Sequence, residues 1–312
     1  MKRFSQNSLK ILPFLLAVML VTACSAPPEA GRVRSSVAEA MSAGNDQPFA
    51  RAMEPKEFVF PRDHGPHEAF RTEWWYYTGN LDNEAGDRFG YQLTFFRSAL
   101  TPERIQRVSD LAVNQIYMAH FAVTDDKDRQ HYSFERYARG DGALAGATGE
   151  PIYEVWLEDW EASEFEPGKT RLQANGWSEE SGEVAIDLLL EQTAPPILHG
   201  ERGLSQKGTE RGNANYYYSL PRLETTGTIT LDDRLETVTG LSWMDHEYGT
   251  SALSAETRGW DWFSIQLSNG VNIMLGELHD GTGGNRFIME GSLVLPDGSR
   301  IGLTAENFDL QA

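Results

Sequence analysis

From Phe58 onward, strand-forming residues come in short bursts separated by turn signals. Trp74-Trp75-Tyr76-Tyr77-Thr78 is dense in aromatic and β-branched types, residues 82–86 read as a turn, and residues 91–96 form a second burst. The same unit recurs at residues 115–124, 152–160, 170–177, 184–190, 216–219, 227–231, 237–244, 260–267, 271–278 and 291–295. Few windows carry a 3.6-residue period, and residues 101–111 are too polar and broken for a good helix. Short strands at this spacing predict an all-β protein, a sandwich or an antiparallel barrel. Residues 74–81 can be laid over residues 260–267, so that Trp74 matches Trp260, Tyr76 matches Trp262 and Leu81 matches Leu267. Strand alternation places each aromatic pair on one face. A duplicated β unit would give this match, and so would two aromatic strands alike by coincidence.

The first 55 residues break the pattern. Lys2, Arg3 and Lys10 precede an uncharged apolar run, residues 11–23, which is short of the roughly 20 residues a membrane span needs. This is a signal peptide over residues 1–23. It ends in Val21-Thr22-Ala23-Cys24, which is similar to the bacterial lipobox and holds the chain's only cysteine. Lipidation of Cys24 would tie the protein to a membrane through acyl chains. Residues 24–55, rich in Ala, Ser, Pro and Gly, read as a tether. Ser25 after the cysteine resembles lipoproteins sorted to the periplasmic face of the outer membrane.

Composition narrows the function. In 312 residues there are 27 Lys and Arg against 46 Asp and Glu, a net charge of −19 that argues against nucleic-acid partners. A lone cysteine excludes a disulfide framework or a CxxC redox pair. No G-x-S-x-G elbow, P-loop or HExxH motif is present.

The densest chemistry lies in Ser242-Trp243-Met244-Asp245-His246-Glu247-Tyr248-Gly249. Asp261 follows, between Trp260 and Trp262. An acid among indoles suggests desolvation and a raised pKa, as a proton donor needs. The expectation is that His246 and Asp261 approach each other where the two segments meet. His246 could equally be a satisfied core residue. Glu73 suits a buried latch to Arg97 or Arg222, and His64 and His67 suit a loop sealing a barrel end; no metal site is expected.

Thr72–Leu81 and Gly90–Arg97, with His120-Phe121-Ala122, Leu198-His199-Gly200, Tyr216–Leu223, Trp243–Gly249 and Gly259–Phe263, resemble the carotenoid 1,2-hydratase-like family of secreted, lipocalin-like proteins. The resemblance spans roughly residues 56–312. It implies two lipocalin-like antiparallel barrels, residues 56–250 and 251–312, the second incomplete at its C-terminus. It also implies cofactor-free hydration of a terminal isoprenoid double bond, with catalytic positions matching Asp261, His246 and Tyr248. The aromatic residues Trp74, Tyr76, Trp243, Trp260 and Trp262 would bind the ligand, a hydrophobic small molecule. Two functions stay open: an envelope-anchored hydratase or hydrolase, or a periplasmic carrier without catalysis.

Overall fold

The structure, a computed structural model, describes residues 49–102, 114–140, 143–250, 257–280 and 286–310. The signal peptide, Cys24 and nearly all of the tether lie outside the described residues, as does most of the segment 101–111. Among the described residues there is no α-helix, only a 3-10 turn at Arg62–His64.

Thirteen strands make one antiparallel sheet. They are β1 (Thr72–Asn83), β2 (Arg88–Ala99), β3 (Gln115–Asp125), β4 (Gln130–Arg139), β5 (Ala145–Thr148), β6 (Glu154–Leu157) and β7 (Trp160–Glu166). β8 (Lys169–Ser178), β9 (Gly182–Gln192), β10 (Ile197–Leu198), β11 (Leu204–Gln206), β12 (Ala214–Leu231) and β13 (Arg234–Gly249) complete it. The order is β4-β3-β2-β1-β13-β12-β9-β8-β7-β6-β5, with β10 and β11 added along β12. The sheet curls into a nearly closed barrel around one core, in which Trp75, Tyr77, Leu93, Phe95, Phe121 and Trp160 are fully or almost fully buried. A second sheet follows, β14 (Gly259–Gln266), β15 (Asn272–His279), β16 (Arg286–Val294) and β17 (Arg300–Thr304), in that order. The all-β, lipocalin-like expectation holds; the smaller unit presents four antiparallel strands.

One expected strand, residues 152–160, is in fact a hairpin. Glu158 takes a left-handed backbone conformation (φ 57°), and Leu157 pairs with Trp160 across the two-residue turn. Pro221 explains another irregularity. It cannot donate to the ladder, and the β12–β13 register shifts between Leu220 and Leu223.

Burial along β13 positions the site. Its first half alternates, as expected of a sheet with one wet face, but Ser242–Gly249 is buried at every residue. The first half of β12 behaves likewise. The inner face of this region packs on the barrel core and the outer face lies under the second sheet, where Tyr217, Trp243, Met274, Val294 and Trp262 cluster. Polar clamps hold the sheets together. Gln266 Nε2 donates to the carbonyls of Pro221 (2.8 Å) and Ser242 (2.9 Å), and Trp262 Nε1 donates to Tyr217 OH (3.1 Å).

Candidate functional site

Alternation along β13 sends consecutive residues to opposite sides. Met244, His246 and Tyr248 face the barrel interior, and Trp243, Asp245 and Glu247 face the second sheet. Two polar clusters result, one on each side of the same strand.

The interior cluster is a bonded network that leaves one of its buried atoms, Arg97 Nη1, without a partner among the described residues. Glu73 and His246 are both fully buried, and His246 Nε2 lies 2.8 Å from Glu73 Oε1. Arg97 Nε donates to Glu73 Oε2 (2.9 Å), so the expected latch forms with Arg97. His67 spans two carboxylates: Nδ1 meets Glu73 Oε1 at 2.8 Å and Nε2 meets Asp63 Oδ1 at 2.9 Å. Lys56 Nζ then joins Asp63 (2.7 Å) to Tyr248 OH (2.7 Å). Tyr218 OH contacts both His64 Nδ1 (2.6 Å) and His246 Nδ1 (2.9 Å), and Trp75 Nε1 donates to the His64 carbonyl (2.9 Å). The loop carrying His64 and His67 thus plugs one end of the barrel.

Charges follow from these contacts. Burial alone would raise the Glu73 carboxyl, but Arg97 and the two histidines overcome it and hold Glu73 well below the ordinary carboxylate range. Burial lowers His246 despite the Glu73 bond, which favours a neutral ring donating from Nε2 to Glu73. His67 is raised: burial opposes the charge, but carboxylates at both nitrogens favour it. Among the described residues, His67, Glu73 and His246 bring ligand atoms within 4.8 Å of one another. These atoms are already bonded to each other and Arg97 supplies the positive charge, so the donor set suits an internally bonded network better than a cation.

The outer side is a cavity of about 590 Å³ between the barrel wall and the second sheet. Its walls include Trp74, Tyr76 and Phe96 from the barrel, and Trp260, Trp262 and Phe263 opposite them. Tyr76 and Trp262 meet edge to face with ring centroids 5.3 Å apart. The two aromatic strands matched in the sequence therefore face one another. β1 lies mid-sheet between β2 and β13, whereas β14 is an outer strand paired with β15 alone.

Asp245 reaches this cavity from β13. Trp243 Nε1 donates to its Oδ1 (2.7 Å), Tyr217 OH donates to Oδ2 (3.0 Å), and Ser219 Oγ donates to Oδ1. Burial pushes the carboxyl up to about 7 against these three donors, with Glu247 adding to the rise. Behind Ser219 stands a buried relay. His199 Nε2 lies 2.6 Å from Ser219 Oγ, its Nδ1 lies 2.9 Å from Ser292 Oγ, and Arg300 Nε donates to Ser292 (2.8 Å). Burial keeps His199 well below the usual histidine range. With Arg300 donating into Ser292, the hydrogen bonds run in one direction and end on Asp245.

Most of the expected residues gather here, in a different arrangement. Trp74, Tyr76, Trp260, Trp262 and Asp261 line the cavity, and Trp243 stands behind the wall. The expected approach of His246 to Asp261 is not made, because strand alternation turns His246 into the barrel. Tyr248 follows it inward and stacks on His67, centroids 3.5 Å apart. Asp261 lacks the expected desolvation: its side chain is 40% exposed and lies 3.5 Å from His279 Nε2. Asp245, Lys207, Glu290 and His199 were not singled out by the sequence. Asp245 stood inside the segment that drew attention, and His199 inside a quoted motif.

The comparisons agree with this architecture. An AttH-like family model matches residues 51–312. The crystal structure of an AttH protein from Nitrosomonas europaea is 30% identical with a TM-score of 0.71, covering 83% of this chain and 76% of that one. Kievitone hydratase from Nectria haematococca is 12% identical with a TM-score of 0.56, covering 85% and 73%, a likeness of fold. A search of curated proteins finds no match. The family match covers most of the chain: the protein belongs to the AttH-like family.

Proposed function

We propose that the cavity is the active site of a cofactor-free hydratase acting on an isoprenoid or similar lipophilic alkene, with Asp245 as the acid. One observation carries this reading: a carboxyl raised to about 7 reaches an aromatic-walled cavity. A general acid works best with a pKa near the operating pH. Asp245 gives its proton to one alkene carbon, and the π pair becomes the new C–H bond. The tertiary cation left behind faces the rings of Trp74, Tyr76 and Trp262 and the new carboxylate, which stabilise it. Water adds to the cation, and its surplus proton returns to Asp245. The net change is addition of one water. The fold shared with kievitone hydratase supports a hydratase, and the sequence resemblance to carotenoid hydratases extends the candidates to acyclic carotenoids.

Incubation with an acyclic carotenoid or farnesol in H₂¹⁸O tests the reaction. A tertiary alcohol carrying ¹⁸O, absent with Asp245→Asn, is the expected result. Tight binding without labelled alcohol would reverse the reading in favour of a carrier. The same proposal holds the protein at the periplasmic face of the cell envelope through lipidated Cys24. Labelled palmitate should then mark the wild type and not Cys24→Ser.

A further inference from the structure

The relay behind Asp245 fixes more than the charge of a carboxyl. Its members come from distant points of the sequence: His199 follows β10, Ser219 lies on β12, Ser292 on β16, and Arg300 opens β17. His199, Ser219 and Ser292 are fully buried, so each hydroxyl proton needs an acceptor inside the protein. A guanidinium only donates. Arg300 Nε gives to Ser292 Oγ (2.8 Å) and Nη1 gives to the Gly200 carbonyl (3.1 Å). Among the described residues, the acceptor left for the Ser292 proton is His199 Nδ1 (2.9 Å). Burial keeps the ring neutral, so a ring that accepts on Nδ1 carries its hydrogen on Nε2. That hydrogen goes to Ser219 Oγ (2.6 Å), and the Ser219 proton then goes to Asp245 Oδ1. The opposite tautomer would leave the buried Ser292 proton with no acceptor among the described residues, one hydrogen bond poorer.

The two oxygens of Asp245 are thereby made unequal. Oδ1 accepts from both Ser219 and Trp243 Nε1 (2.7 Å), which fills its lone pairs. Among the described residues Oδ2 accepts from Tyr217 OH alone (3.0 Å), and Tyr217 lines the cavity. A proton arriving on the carboxyl therefore finds its place on Oδ2, beside Tyr217. Ser219 alone would not enforce this. A serine hydroxyl rotates, and one not held by a donor can equally accept from a protonated Oδ1. With the His199 hydrogen already on Ser219, the Ser219 proton has Oδ1 as its one acceptor among the described residues. Of the titratable groups there, Glu247 on the same strand, Lys207 after β11, Tyr76 on β1 and Tyr217 on β12 face Asp245, and Arg300 and Lys207 face His199. None of these donates to Oδ1.

We propose that His199 is a positioning residue that acts through Ser219: it closes Oδ1 to protons and holds the acid proton of Asp245 on Oδ2, the oxygen beside Tyr217. The proposal rests on reading Asp245 as the acid and adds what aims it. Loss of the His199 hydrogen should then do two things. The acid proton gains a second seat on Oδ1, bonded to Ser219 and turned away from Tyr217, so turnover falls. The protonated carboxyl also becomes easier to form, so the alkaline fall of the rate moves to higher pH.

Nitrogen NMR on histidine-labelled protein reads the tautomer without substrate, with the His199 signal assigned by its loss in His199→Gln. The Nε2–H form is expected, and an Nδ1–H ring would overturn the relay while leaving the acid reading in place. Turnover of farnesol in H₂¹⁸O reads the rest. His199→Leu, which has no hydrogen to give, should lower kcat about tenfold. It should also move the alkaline fall up by roughly half a pH unit or more. His199→Gln, whose amide donates at the Nε2 position, should recover kcat to within about threefold of wild type. Adding His199→Leu to Ser219→Ala should bring no further loss, because His199 reaches Asp245 through Ser219. A histidine that only packs would leave the pH profile in place, and an unmoved profile in His199→Leu overturns the proposal. If His199→Leu does not fold, Ser219→Ala should carry the same shift, and its absence there overturns the proposal equally. A wild type that hydrates nothing would take down the acid reading and this proposal together, whatever the tautomer.

Discussion

Two polar clusters sit back to back on β13, and their difference separates structure from chemistry. His246 and Tyr248 look inward to a network where Glu73, His67, Asp63, Arg97 and Lys56 are bonded to one another. Asp245 and Glu247, their immediate neighbours, look outward to a cavity that holds a raised carboxyl. Both clusters are buried and both hold a histidine. Access distinguishes them: the interior network fixes the end of the barrel, whereas Asp245 borders a cavity that a ligand can enter.

The comparison breaks first at Glu73. Glu73→Ala would leave the fully buried Arg97 guanidinium without its carboxylate, held only by the His67 and Phe70 carbonyls, and take an acceptor from His67 and His246. Removing one partner of a buried pair costs about 3–5 kcal/mol. Urea unfolding should show a loss of that size, with activity falling only in step with the unfolded fraction. A Glu73→Ala protein that stays as stable as wild type would mean the interior network does not hold the fold.

Asp245→Asn should do the opposite. The amide keeps the shape, its oxygen can still accept from Trp243 and Ser219 while its NH2 donates to the Tyr217 oxygen, and it has no acidic proton to give. Turnover should fall by about 10²–10⁴, the range for loss of a general acid, with the melting temperature little changed. Loss of folding in place of turnover would move Asp245 into the structural class.

pH should pull the two clusters in opposite directions. Asp245 acts as an acid only while protonated, so kcat/KM should be level below about 7 and fall roughly tenfold per unit above it. Stability should respond on the acid side. Burial lowers His64 to about 4, against an ordinary value of 6.5, and keeps it neutral inside the barrel. The unfolded chain takes up the proton first, so the contribution of His64 is complete above 6.5 and is lost as pH falls toward 4. The slope is at most about 1.4 kcal/mol per unit. Asp245, raised to about 7 from an ordinary 3.8, contributes the opposite slope over nearly the same range, so calorimetry across pH 4–8 reads the His64 contribution as the difference between the wild-type and His64→Phe curves.

The sequence made the fold legible where alternation was strong. β1 and β2 announce themselves through aromatic residues on the barrel side. β4 was missed because Gln130–Arg139 buries no side chain fully and carries polar residues on both faces. β10 and β11 have too few residues to show a period. The site was legible as a segment and illegible as a geometry. One face of β13 offers Trp243, Asp245 and Glu247, and the other offers Met244, His246 and Tyr248. Each combines apolar bulk with ionisable groups, so periodicity could not say which face looked into the barrel. The His199–Ser219–Asp245 relay depends on β10, β12 and β13 lying side by side, a pairing that no local signal encodes.

The finest test concerns Asp261, where the expected effect is smallest. It lines the cavity beside two tryptophans, as the sequence suggested for the acid. Its side chain nevertheless keeps 40% exposure, and the group beside it is His279 at 3.5 Å. Asp245, by contrast, is buried. Asp261→Asn should therefore change turnover by no more than about threefold, well inside the range left by losing a positioned acid. Its stability should shift by less than about 1 kcal/mol, as for other half-exposed polar contacts. Measured beside Asp245→Asn on the same substrate, it asks which carboxyl of the cavity gives the proton. A loss at Asp261 equal to that at Asp245 would mean that the second sheet moves over the ligand and desolvates Asp261, making the two acids partners in one step.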